Sequence, residues 1–451
     1  MKRGVIALSC GLLILVLTGS VIGLVGTSDA TRGPSVILPS IEEAKALLNS
    51  THRHADWIQV PVGSRTILAS VVYPDRADKA AVTIITAPDQ QLSDRLRAVA
   101  DQLAAEGFIG VVPDVLSSAT AEIDAVLSFM IKHPAANGKH ATLVFSNPDS
   151  SVDLRALNEL TGNDPSKVVR MPSDAHMGHA MFMAEPQRGE QACAVGSLNC
   201  KRDDFVAGFN TARSTLAHSP LRAEWVDIPM GTAKLHARIT YPQSSGKAPV
   251  VIVMTGANGL NDWHRSVGDQ LSREGFIVIA PDVHSGFGPN GGNWDSFQFP
   301  DDVVKATGRI PRDEIMRRYK AAREYGLKLP QASGKTASIG FCAGGTNSFA
   351  FAGEVPELNA AVVYYGTAPN EATLARIKAP VLGLYAQIDA RITETVEPTT
   401  AAMKKLGKAY EPHVYKNATH GFLEYQNLGE NTAATTDAWP RTIAFLKENT
   451  K

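Results

Sequence analysis

Cysteine is scarce in this chain, with four in 451 residues: Cys10, Cys193, Cys200 and Cys342. That is too few for a disulfide scaffold, and the spacings lack the paired Cys and His of a zinc site, so no metal is expected. No charge of one sign dominates either. Lys and Arg number 44 against 45 for Asp and Glu, a formal net charge of -1. That balance excludes a bulk electrostatic grip on nucleic acid or on an anionic membrane. No P-loop or dinucleotide fingerprint stands at a strand-to-helix junction, so nucleotide binding is not indicated. Charged residues make up only 20% and hydrophobic ones 44%, which is too apolar for disorder and ordinary for packed domains.

One long apolar run is present. After the basic start Met1-Lys2-Arg3, residues 4–26 carry no charge. A signal-peptide core is about 7–15 apolar residues and a spanning helix about 20. Residues 1–30 therefore read as a signal peptide or a membrane anchor. The run is nearer the spanning length, and Ser28-Asp29-Ala30 offers a cleavage site as the alternative. Either way the body is expected outside the cytoplasm, on the periplasmic or extracellular side, because Lys2 and Arg3 stay inside. Residues 31–50 read as a tether with a short helix.

The remainder contains one pattern twice. Residues 57–115 written over 225–283, at a constant offset of 168, are identical at 24 of 59 positions without a gap. Trp57/Trp225, Tyr73-Pro74/Tyr241-Pro242 and Pro113-Asp114-Val115/Pro281-Asp282-Val283 are among the matches. The period is too long for a solenoid repeat, so each copy is expected to be a domain with its own core. We read 51–182 as a degenerate copy, 183–222 as a linker and 223–451 as the working copy. In that linker Cys193 and Cys200 are a disulfide candidate, with two unrelated thiols as the alternative.

In the second copy a hairpin precedes the short β-branched run APVVIVMTG. A helical stretch from Asn261 to Glu274, the strand FIVIAPD, a helix over 312–328, the strand TASIG and a helix over 344–352 follow. Strands at AAVVYYG, APVLGLYA and EPHVYK and a last helix over 436–447 complete it. Such alternation predicts an α/β fold with a mostly parallel sheet and helices on both faces. Sites in such sheets lie at the carboxyl ends of strands.

Gly340-Phe341-Cys342-Ala343-Gly344-Gly345 sits at a strand-to-helix junction. It is the G-x-nucleophile-x-G pattern with Cys in place of Ser, a tight turn that lifts the sulfur above the sheet beside a helix N-terminus. Asp389 ends the strand VLGLYAQID and His420 follows EPHVYKNATH, giving the order nucleophile, acid, histidine. His420 would take the thiol proton and Asp389 would fix its tautomer. The plainer readings are a packed cysteine, a helix cap and a loop histidine. Backbone N–H groups of Ala343 and of the loop at Gly256 or Ala257 are the candidate oxyanion donors. His284, Phe287, Trp294 and Phe299 fall in a Gly- and aromatic-rich segment suited to a cap, with His284 and Trp294 as candidate substrate contacts. Asp262 reads as a helix-cap or surface residue, because Asp94 occupies its place in the first copy.

GFCAGG, the Asp389 segment and THGF resemble the dienelactone hydrolase family of the α/β-hydrolase superfamily, over about 223–449. The resemblance implies two α/β-hydrolase-like domains, the first shortened. It also implies cleavage of a small-molecule ester or lactone through an acyl-cysteine by Cys342, Asp389 and His420, with no cofactor. In the family a glutamate follows the strand aligned with VVIVMT and holds the resting cysteine, and arginines bind a carboxylated lactone. Gly256, Gly286 and Glu424 stand at those positions here. A short-chain ester or a different lactone is therefore expected, since Glu424 would repel an anionic substrate.

The first copy lacks this machinery. Ser146 stands where Cys342 stands, but Val144 and Pro148 replace the glycines, and Pro148 spoils the turn. Ser146 to His176 is 30 residues, against 78 from Cys342 to His420, so the strand bearing the acid is missing. His176 and His179 are thus not expected to build a second site. An idle binding or scaffold protein, and an acyltransferase using the same cysteine, are the competing functions. The oligomeric state is not indicated.

Overall fold

The computed structural model describes residues 35–51, 53–89, 91–145, 151–168, 212, 216–426 and 430–451. The leader, Ser146, His176, His179, Cys193 and Cys200 lie outside the described residues. Among the described residues no helix is long and apolar enough to cross a membrane. The chain divides into two compact units, Met1–Arg170 and Met171–Lys451.

The first unit runs β1 (Ser35–Ile37), α1 (Ile41–Ser50), β2 (Ala55–Val62), β3 (Arg65–Val72), β4 (Ala80–Thr86), α2 (Asp94–Ala105), β5 (Ile109–Pro113), α3 (Thr120–Met130), β6 (Ala136–Val144), β7 (Ser151–Asp153) and α4 (Leu154–Thr161). Its main sheet has the order β2-β3-β5-β4-β6. The pairs β4/β5 and β4/β6 are parallel, and β2/β3 and β3/β5 antiparallel.

The described part of the 31–50 segment, read as a tether with a short helix, holds that helix as α1 but is packed rather than free. β1 pairs antiparallel with β7, and Val36 and Leu38 are buried with Val99, Leu103 and Phe108. Ser40 and Glu43 close a capping box on α1, whose Ala44 and Leu48, one turn apart, pack against Ala98. The short amphipathic helix gains its stability from that burial, as a ten-residue helix free in water would not.

The second unit runs β8 (Ala223–Met230), β9 (Ala233–Thr240), β10 (Ala248–Met254), α5 (Asp262–Arg273), β11 (Ile277–Pro281), α6 (Pro300–Arg309), α7 (Arg312–Leu327), β12 (Ala332–Phe341), α8 (Ala343–Glu354), β13 (Ala360–Tyr364), α9 (Glu371–Arg376), β14 (Val381–Ile388), α10 (Ala390–Lys405), β15 (Tyr410–Thr419) and α11 (Asn431–Asn449). The sheet order is β15-β14-β13-β12-β10-β11-β9-β8. β10 to β15 are parallel, and the β8/β9 hairpin adds antiparallel to β11.

Alternate residues of β10 feed opposite cores. Val250, Ile252 and Met254 pack with Tyr319, Phe349 and Phe351, while Val251 and Val253 pack with Trp263, Leu271 and Phe341. A strand buried on both faces needs a run of apolar residues rather than alternation, which is what APVVIVM supplies. β8, β9, β11, β10 and β12 repeat the order and directions of β2, β3, β5, β4 and β6. Both hairpins turn on two residues with a positive-φ glycine first, Gly63 (60°) and Gly231 (72°). Among the described residues the first sheet stops at β6, where the second adds β13, β14 and β15.

In the second unit four helices escaped the sequence reading or exceeded it, the short α9 among them. α6 lies within the segment read as a cap. α10 contains Pro398 and a Thr-rich stretch, and α11 contains Pro440. Proline and β-branched residues depress helix propensity, and burial on the sheet overrides them.

The start of α8 is packed backbone against backbone. A Cβ on Gly340 would overlap the Gly344 carbonyl, and one on Gly344 would overlap the Met254 carbonyl at the end of β10. Gly344→Ala is expected to destabilise the chain by about 1–3 kcal/mol in urea unfolding. Gly246→Ala, where nothing lies within 4 Å of the added carbon, should leave the midpoint in place.

Candidate active site

Cys342 joins β12 to α8 with φ 57° and ψ −119°. A side chain in that left-handed conformation costs on the order of 1–3 kcal/mol and persists only where packing enforces it. Here the glycines on either side enforce it. The Cys342 N–H donates to Tyr364 O (3.1 Å), and its carbonyl accepts from Thr346 N (3.1 Å). The half-buried sulfur therefore sits at the carboxyl end of the sheet, at the N-terminus of α8.

Asp389 and His420 come to the same edge. Asp389 follows β14 in the N-cap position of α10, yet its side chain makes no cap hydrogen bond. Its Oδ2 lies 2.6 Å from His420 Nδ1, so the ring donates there and turns its other nitrogen away. The Cys342 sulfur lies within 4.8 Å of a His420 ring nitrogen. Burial disfavours a charged His420, but the charges of Asp389 and Cys342 and their hydrogen bonds outweigh it and push its pKa up to about 10. The imidazolium is thus the form this site favours at neutral pH. Tyr365 packs edge-on against the ring at 4.9 Å between centroids.

The loop after β10 is strapped from behind. His264 Nε2 accepts from Gly256 N–H (3.1 Å), and its Nδ1–H donates to Asn261 Oδ1 (2.8 Å). The two contacts assign the tautomer. Burial lowers the His264 pKa to about 3, so the ring stays a neutral acceptor. Thr307 Oγ1 donates to Ala257 O (2.7 Å) and Trp294 Nε1 to Asn258 O (2.9 Å). A Cβ on Gly256 would lie 3.5 Å from Cys342 Cβ, which places this loop directly against the elbow.

His284 and Trp294, candidate substrate contacts in the sequence reading, occupy a different place. His284 is fully buried, with Nε2 2.7 Å from Thr307 Oγ1, and Trp294 is buried beside it. Both fill the space under Gly259, where a Cβ would meet His284 Cε1 at 2.8 Å. They support the 256–259 loop. Their polar atoms and aromatic character resemble pocket residues in sequence, and only packing separates the two roles. Phe287 and Phe299 remain exposed. Asp262 is the first residue of α5 and pairs with Arg265 at 3.2 Å, while Asn261 caps the helix.

Sequence reasoning missed Arg391, which is buried with its Nε 4.0 Å from Asp389 Oδ1. No spacing rule marks it, because its position follows from the first turn of α10. Glu424, read as a charge facing substrate, is buried and accepts from Asn258 Nδ2 (2.9 Å). Burial pushes its pKa up to about 7.

Residues 235–450 match the sequence model of the Dienelactone hydrolase family. The C-terminal half of this chain is a dienelactone hydrolase family domain. A Saccharolobus solfataricus protein bearing the name carboxymethylenebutenolidase is 29% identical over 249 residues, covering 49% of this chain and 96% of that protein. A Salmonella typhi protein of the same name is 28% identical over 262 residues, covering 54% and 96%. A Bradyrhizobium protein named as a 2-oxo-3-(5-oxofuran-2-ylidene)propanoate lactonase is 26% identical over 249 residues, covering 51% and 96%. Among solved structures, the dienelactone hydrolase of Anabaena variabilis aligns at 18% identity and a TM-score of 0.41, covering 52% of this chain and 100% of that one. The dienelactone hydrolase family domain makes this chain a hydrolase of that type.

The two imidazoles should titrate oppositely. By NMR, His264 is expected to stay neutral from pH 8 down to about pH 4, and His420 to hold its proton through neutrality and lose it near 10. The unfolded chain protonates His264 near its ordinary value while the folded chain resists. That residue's contribution to stability is therefore lost as pH falls from about 6.5 towards 3.

Proposed function

We propose that residues 223–451 cleave a small-molecule ester or lactone through an acyl-cysteine formed on Cys342. The observation that carries this reading is the 2.6 Å Asp389–His420 hydrogen bond, with the Cys342 sulfur beside the same ring on a left-handed elbow. Neither a helix cap nor a loop histidine requires that convergence.

The thiol proton rests on His420, whose positive form Asp389 stabilises, so Cys342 reacts as the thiolate. The sulfur attacks the acyl carbon, and the carbonyl electrons move to oxygen. The Ala343 and Ala257 N–H groups are the donors to that oxyanion, since the Gly256 N–H is already taken by His264. Collapse breaks the carbon–oxygen bond, and the leaving alkoxide takes the proton from His420. Water then gives a proton to the same ring and attacks the thioester, which releases the acid and restores the thiolate beside the imidazolium.

The first unit is read as a catalytically silent relative of the second. The shared strand order supports this, as does the lack, among the described residues, of strands corresponding to β13, β14 and β15, two of which lead into Asp389 and His420. The charge-free run at 4–26 supports export, with that run as leader or anchor.

The test is a panel of short-chain aryl esters and lactones assayed on the full chain. Cys342→Ala is expected to cost on the order of 10⁴-fold in rate, and Asp389→Asn a loss approaching that size. Equal turnover by Cys342→Ala and the unmodified protein would reject the mechanism.

A further inference from the structure

Glu424 has no part in the scheme above, yet its carboxyl is tied to the loop that passes the nucleophile. It follows His420 by four residues and is only 8% exposed. A buried carboxyl needs donors, and its donors are two neutral amides, Asn258 Nδ2 at 2.9 Å and the Asn261 side chain. Asn261 Oδ1 is occupied by His264, which leaves its amide nitrogen to donate. Both asparagines belong to the loop that passes the nucleophile. A Cβ on Gly256 would lie 3.2 Å from Asn258 Oδ1 and 3.5 Å from Cys342 Cβ.

The groups around this carboxyl come from four elements. Cys342, at the start of α8, and His420, in the turn after β15, lie close enough to act on its charge, with Asp389 and Arg391 beside that ring. Tyr365 faces it from the end of β13, a buried phenol held well above its ordinary range chiefly by desolvation and further by Glu424 and Cys342. Tyr425 is its neighbour in sequence. Asn258 and Asn261 approach from the loop after β10. Burial raises the Glu424 pKa most, a negative Cys342 raises it further, and a positive His420 lowers it. The carboxylate and the thiolate therefore oppose each other.

We propose that Glu424 is a positioning residue that governs the ionisation of Cys342: its carboxylate and the thiolate exclude one another, so that a proton taken up by Glu424 accompanies formation of the thiolate–imidazolium pair. This rests on the reading of Cys342 as the nucleophile. The thiol proton moves to His420, the Glu424 proton comes from solvent, and no other bond changes. Below neutrality the carboxyl is uncharged and the thiolate is tolerated. Above it the carboxylate raises the cost of the thiolate, and the pair loses its protons in two coupled steps.

The experiment follows iodoacetamide alkylation of Cys342 in the full chain from pH 5 to 10, read by mass spectrometry of the Cys342 peptide. Glu424→Gln keeps an oxygen for Asn258 and removes the charge. The Gln variant is expected to move the alkylation curve to lower pH by on the order of one unit, with up to about tenfold faster labelling at pH 7. A carboxyl acting only as a clamp on the loop would leave the curve in place. An unchanged curve, or one moved to higher pH, overturns the proposal while leaving Cys342 as nucleophile. Absence of labelling at every pH in both proteins overturns the reading of Cys342 itself, and this proposal with it. Should Glu424→Gln fail to fold, the unmodified chain decides: two inflections, one near pH 7, support the coupling, and a single step refutes it.

Discussion

The second unit depends on one close approach of backbone to backbone. Gly340, Gly344 and Gly345 let the first turn of α8 press against the ends of β10 and β13. No side chain larger than hydrogen fits at that contact. The approach holds Cys342 at a positive φ and points its sulfur out at the carboxyl edge of the sheet, where β14 and β15 deliver Asp389 and His420. The strain is local and the packing that sustains it is extensive, with a buried core on each face of the sheet.

Around that elbow the protein sets three ionisable side chains to three different states by environment alone. His264 is buried against an amide oxygen and a backbone N–H and stays neutral. His420 is buried against a carboxylate and a sulfur and is held positive. Glu424 is buried against amides and lies between. Burial acts on all three. The sign and size of the outcome follow from whether the nearest partner is a charge or a dipole. Trp294, Thr307 and His264 hold the 256–259 loop in place through hydrogen bonds to its backbone. Placement of catalytic donors is commonly secured by such supporting contacts.

Much of this was legible before any coordinates. The GFCAGG turn, the order of cysteine, aspartate and histidine, and the strand-helix alternation all rest on local rules, and the second unit follows them closely. Asp389 and His420 were readable as candidates because each falls just past a predicted strand. The failures were also systematic. Residues 31–50 looked like a tether with a short helix because a three-residue strand carries little pattern of its own, and its stability comes from partners elsewhere. α10 was hidden by Pro398. His284 and Trp294 looked like pocket residues because composition does not reveal which way a side chain faces.

Local sequence therefore settled the fold class and marked Cys342, Asp389 and His420 as the candidate site. Steric limits on φ and ψ and the burial periodicity of strands and helices act over a few residues and can be read along the chain. The Asp389–His420 bond, the burial of Glu424 and the supporting roles of His264, His284 and Arg391 emerged only on folding. Each depends on distances between segments far apart in sequence and on how much water is excluded there, and neither quantity is written in any one stretch of residues.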